Sequence, residues 1–104
     1  MHIRLDELPG RLVVDATGAL LGKIDAPLVD METWLVDALR IKTTRRATDE
    51  LGLAWSWWRR PRIEVATGLV HAAGDAIILR VSIAELREAL PSVTSAEQAP
   101  FSLH

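Results

Sequence analysis

The strongest constraint in the chain is a period of two. In Ala76-Ile77-Ile78-Leu79-Arg80-Val81-Ser82-Ile83 the odd positions are Ile, Leu, Val and Ile, and the even positions are Ala, Ile, Arg and Ser. Successive side chains of a strand point to opposite faces, so this alternation predicts a strand with one buried face. A chain of 104 residues that is 49% hydrophobic holds one small domain with a real core. That domain is expected over 1–91, with 92–104 as a flexible tail lacking either period.

The remaining segments extend the β reading. Arg62 to His71 alternates less cleanly, and Ala72-Ala73-Gly74-Asp75 supplies turn residues, so 62–82 reads as a hairpin. Leu12-Val13-Val14 runs into Asp15-Ala16-Thr17-Gly18, a turn sequence, and Leu20 to Ile24 begins a second strand. Gly22 inside that strand predicts a bulge or tight bend. Pro27, which has no N–H to donate, predicts an edge or a bulge. Trp34 to Lys42 is the third predicted strand. Its parity changes midway, because Trp34, Val36 and Ala38 share one face while Leu39 and Ile41 lie on the other, which predicts a bulge or burial on both faces.

Two stretches are not strand-like. From Thr43 to Pro61 the chain is polar with one possible helical turn, followed by the aromatic run Trp55-Ser56-Trp57-Trp58 and then Arg59-Arg60-Pro61-Arg62. Such a connection is long for a small domain. At the other end, Ser82-Ile83-Ala84-Glu85 has the form of a capping box, predicting a helix over 83–90 with Ile83, Leu86 and Leu90 on one face and Pro91 as its stop.

Gly18 and Gly22-Lys23-Ile24, then Val29-Asp30, Glu32-Thr33-Trp34 and Leu39-Arg40-Ile41, resemble the PRC-barrel domain, named from the cytoplasmic domain of the reaction-centre H subunit and found also in the C-terminal half of the ribosome-maturation factor. The resemblance spans residues 8 to 83. It implies an all-β fold, a small, strongly bent antiparallel barrel of five or six strands with a short C-terminal helix. It also implies a protein–protein adaptor that often self-associates, with no shared catalytic residues and no shared cofactor. The 43–61 connection departs from the family pattern.

Chemistry-bearing motifs are sparse. The chain has no cysteine, which removes disulfides, thiol catalysis and cysteine-bound metal. His2 and His104 are near the ends and His71 stands alone, so no metal site is expected. Ser56, Ser82, Ser92, Ser95 and Ser102 lack a nucleophile-elbow context, and the glycines form no phosphate-binding loop. The acidic group Asp25, Asp30, Glu32 and Asp37 lacks calcium-loop spacing and reads as turn and strand-end charge. The expectation is therefore no enzyme, no cofactor and no metal. The acidic N-terminus and the lack of any stretch near the roughly 18 apolar residues of a membrane span predict a soluble, cytoplasmic protein.

The formal net charge of −2 conceals an asymmetry. Between Arg40 and Arg62 seven basic residues face two acidic ones, a net +5, which leaves −7 for the rest. Within that segment Trp55, Trp57, Trp58, Arg45, Arg46, Arg59, Arg60 and Arg62 form the candidate interaction surface. Three readings stay open: tryptophans covering one end of the barrel beneath cation–π arginines, a contact with a second copy (a dimer first) or another protein, and an RNA or anionic-membrane surface.

Overall fold

The structure is a computed structural model that describes residues 2–55 and 60–93. Six strands form one sheet: β1 Leu12–Val14, β2 Leu20–Val29, β3 Val36–Thr43, β4 Arg62–Ala66, β5 Val70–Ala73 and β6 Ala76–Leu79. Helix α1, Arg45–Leu51, lies between β3 and β4, and α2, Ile83–Val93, follows β6. Short 3-10 turns occupy Leu5–Glu7 and Thr67–Leu69.

The spatial order is β4-β3-β2-β1-β6-β5, antiparallel throughout except that β1 pairs parallel to β6. A flat sheet of this order would hold β4 and β5 about 24 Å apart at ordinary strand spacing. The chain passes from Ala66 to Val70 in four Cα steps, about 15 Å at most. The sheet must therefore curl, and it does so as a half-barrel with β4 and β5 as its two edges. The bent, β-rich sheet is as expected, the all-antiparallel order is corrected by the parallel β1–β6 pair, and the possible helical turn in the 43–61 connection is the two-turn helix α1.

The concave face and the two helices enclose the core. Val13, Leu21, Ile24, Leu39, Ile41, Ile63, Val65, Ile77 and Leu79 point inward from the strands, and Ala47 and Leu51 of α1 meet Ile83, Leu86 and Leu90 of α2 over them. The alternation read at 76–79 is the observed one, with Ile77 and Leu79 buried and Ile78 exposed. The parity change in the third strand is a bulge: Leu28 pairs with Ala38 and Val29 with Val36, leaving Asp37 unpaired. A second bulge, at Asp25, interrupts β2. Pro27 lies where β2 has run past β1 and has β3 alone beside it. A Cβ on Gly22 would stand 2.1 Å from the Lys42 carbonyl oxygen, so only glycine admits the close approach of β2 and β3.

Three expectations are corrected. The segment 62–82 is not one hairpin. β4 ends at Ala66 and pairs with β3, the Thr67–Leu69 turn redirects the chain, and only β5 folds back on β6. The third strand starts at Val36, because Trp34 sits in the preceding turn with φ 60°. Helix α2 continues past Pro91 to Val93, taking in Ser92 and Val93; residues 94–104 of the expected tail lie outside the described residues. Pro91 has no N–H to give the Arg87 carbonyl, so the ladder loses one bond there, and the helix runs only two residues further.

The turn between β1 and β2 locks the fold together. Asp15 is buried, and its Oδ1 accepts from the Thr17 N–H at 2.9 Å, the Thr17 hydroxyl at 2.7 Å and the Ala19 N–H at 2.9 Å. Its Oδ2 accepts from the Ile83 N–H at 2.9 Å, the first residue of α2. The predicted capping box is present beside it: Glu85 N–H donates to the Ser82 hydroxyl at 3.1 Å, and Ser82 N–H donates to Glu85 Oε1 at 3.0 Å.

Candidate functional site

Strand register builds the basic surface. Lys23 of β2 pairs with Lys42 of β3, which pairs with Arg62 of β4, so three cations stand directly opposite one another across three strands. Their sequence neighbours Ile24, Ile41 and Ile63 are buried, which puts the row on the convex face. Facing side chains in such pairs lie about 5 Å apart at Cβ, and like charges there are destabilising. The adjacent row is compensated, since Arg40 pairs with Glu64 at 3.5 Å. In the cationic row Arg62 alone has a carboxylate, Asp25 at 3.0 Å, and among the described residues neither Lys23 nor Lys42 forms an ion pair.

The long connection returns to this row. Thr44 caps α1 by accepting from the Ala47 N–H, and Gly52, at φ 76°, ends the helix in a left-handed turn. The Pro61 carbonyl accepts from the Thr43 N–H at 3.3 Å, which holds Arg60 and Arg62 beside the end of β3. Trp55 is half-buried, with the Arg45 guanidinium 5.6 Å and the Arg60 guanidinium 5.5 Å from its ring centroid. These two contacts are the cation–π element of the covering reading, for one tryptophan. Trp57, Trp58 and Arg59 lie outside the described residues. Arg46 is exposed on α1 and pairs with Glu50 at 3.4 Å.

The same convex face turns apolar beyond Lys23. Leu12 pairs with Lys23, and a further row runs Leu20, Val14, Ile78 and Ala72 across β2, β1, β6 and β5. Leu12, Leu20 and Ile78 are exposed by 42%, 44% and 39%. A shallow groove of about 190 Å³ joins the two halves, with Leu12, Leu20 and Gly22 beside Lys23, Lys42 and Arg60. Sequence reasoning missed Lys23, which lies 17 positions before Arg40 and outside the basic segment; only strand register brings it there.

It also missed the β2–β3 tip. Asp30 Oδ1 accepts from the Glu32 N–H at 2.8 Å and the Thr33 N–H at 3.4 Å, while Asp30 N–H donates to the Leu35 carbonyl and Trp34 N–H to the Asp30 carbonyl. This turn displays Met31, Trp34 and Leu35 at 68%, 71% and 65% exposure. The available signal was the Asp30-to-Thr33 turn chemistry, which overrides the strand preference of tryptophan.

Among the described residues no group of His, Asp or Glu is arranged for a metal, and no helix is long and apolar enough to cross a membrane. Asp15 is the carboxylate whose titration is clearly displaced. Burial pushes it upward, but the four hydrogen bonds from Thr17, Ile83 and Ala19 prevail and hold it below its ordinary value. Every one of those bonds serves the fold. No family model matches the chain, and no curated protein matches it.

Proposed function

We propose that this chain is a non-enzymatic β-sheet adaptor of the PRC-barrel kind, cytoplasmic, which associates with itself and with a protein partner through the convex face of its sheet. The supporting observation is the Lys23–Lys42–Arg62 row, in which only Arg62 has a carboxylate partner, running directly into exposed Leu12, Leu20 and Ile78. A like-charge row costs stability in the isolated chain, and a neighbouring exposed apolar patch marks an interaction surface. Together they suit a protein surface that is acidic and partly apolar.

RNA is the second reading, favoured by the cationic row and by Trp55. The protein reading is preferred because the aliphatic residues continuous with the cations offer nothing to phosphate, and because the Trp55 ring already carries two guanidinium contacts. Sedimentation over a range of concentration and salt tests the first reading. Mass above the 11.5 kDa chain that is reduced by Lys23→Glu with Lys42→Glu is expected, and a chain that stays monomeric at all concentrations refutes self-association. Binding to single-stranded RNA that weakens steeply with salt and with Arg60→Ala would instead favour the second reading.

A further inference from the structure

The molecule carries two surfaces that complement each other. Between Ile24 and Leu39 there is no Lys or Arg, while Asp25, Asp30, Glu32 and Asp37 are all acidic. Asp25 is paired with Arg62 and Asp30 closes the turn, but among the described residues Glu32 and Asp37 form no ion pair. They flank Trp34, a large aromatic side chain exposed by 71% on a hydrogen-bonded turn. Trp34 also has φ 60°, a left-handed conformation that bulky residues seldom adopt. A rigid, exposed tryptophan between free carboxylates is an anchor built for a pocket with an apolar floor and a cationic rim. The Leu12–Leu20 groove, rimmed by Lys23, Lys42 and Arg60, has that composition.

The tip cannot reach the groove of its own chain. From Lys23 to Val29 the strand advances about 20 Å, carrying the tip away from the groove along β2. We propose that the Trp34 tip of one copy seats in the Leu12–Leu20–Lys23–Lys42 groove of a second copy. This rests on the reading of the chain as a self-associating module and names the two surfaces involved. Because tip and groove belong to the same strand pair, two β2–β3 hairpins laid antiparallel satisfy both contacts at once, and the assembly closes at two chains.

Charge exchange tests this. One variant reverses the tip, Glu32→Lys with Asp37→Lys; the other reverses the groove, Lys23→Glu with Lys42→Glu. Circular dichroism of each establishes folding, and sedimentation reads the mass. The expected result is that each variant alone is monomeric, that the equimolar mixture regains a mass of two chains, and that Trp34→Asn weakens wild-type association on the order of 30-fold. If the wild type dimerises and the groove variant weakens it while the tip variant does not, the tip-in-groove contact is wrong and the convex-face reading stands; if neither variant changes it, both are overturned. A monomeric wild type overturns both this contact and self-association, and growth without limit at rising concentration overturns the closed dimer.

Discussion

The carboxylate of Asp15 accepts a hydrogen bond from the backbone N–H of Ile83 at 2.9 Å, joining residues 68 positions apart. One short side chain thus closes the β1–β2 turn through Thr17 and Ala19 and supplies the first N–H of α2 with an acceptor that the Ser82 capping box does not provide. The helix that covers the core is thereby fixed to the strand at the centre of the sheet.

This pair sets an acid limit on stability. The folded-state pKa of Asp15 is lowered, so its contribution is complete above the ordinary unfolded value of about 3.9 and is lost as pH falls through the folded value. Urea unfolding followed from pH 7 downward is expected to show stability declining below about pH 4. Asp15→Asn is expected to cost about 2 kcal/mol or more at pH 7 and to flatten that acid dependence, since an amide offers one acceptor where the carboxylate uses two. An unchanged acid slope in the variant would exclude Asp15 as its source.

Gly22→Ala is expected to be among the most damaging single-methyl substitutions in the chain. The new Cβ would stand 2.1 Å from a backbone carbonyl oxygen, and backbone on two adjacent strands cannot yield as a flexible side chain does. A loss of about 3 kcal/mol is expected, in the upper part of the overpacking range, read as a lower urea midpoint with an unchanged slope.

Trp34→Asn is expected to stabilise the monomer. Tryptophan at φ 60° costs about 1–2 kcal/mol relative to a residue that accepts the left-handed region, and with 71% of its surface exposed it loses little packing on removal. A thermal midpoint raised by a few degrees together with weakened association would show strain retained for binding. A lowered midpoint would mean that Trp34 packs in the fold rather than serving as an anchor.

Lys42→Gln is expected to stabilise the fold by a few tenths of a kcal/mol at low salt, because Lys42 has cations directly opposite on both sides. The gain should disappear near 1 M salt, where screening reaches about 3 Å. A salt-independent gain would point to packing or propensity instead.

What the sequence discloses follows the range over which each constraint acts. Gly22, the Ser82–Glu85 box and the parity change around Asp37 are local conflicts between residue type and backbone geometry, and each was legible. The division of 62–71 was not, because Ile63, Val65 and Leu69 keep one parity across the polar Thr67, and only the tertiary fold decides that β4 joins β3 and β5 joins β6. Trp34 shares a parity with Val36 and Ala38 that suits a strand, and the Asp30 turn bonds prevail over it. The basic segment was visible as a run of residues, but its active geometry is a cross-strand row. Lys23 enters that row through register, which composition does not encode.

The parallel pairing of β1 with β6 has a kinetic consequence. Leu12 meets Ala76 in the middle of the sheet, not at an edge, so the strand pairing with the longest intervening loop is also the one that joins the two halves. The β1–β2–β3–β4 part and the β5–β6 part each present an unpaired strand until that loop closes. Folding should accordingly run on the millisecond-to-second scale of non-local β topologies, with neither part accumulating alone. Amide protons of Val13 and Ile77, at the seam, should exchange only through global unfolding, which makes the meeting of the first and last strands the event that commits the chain to its native state.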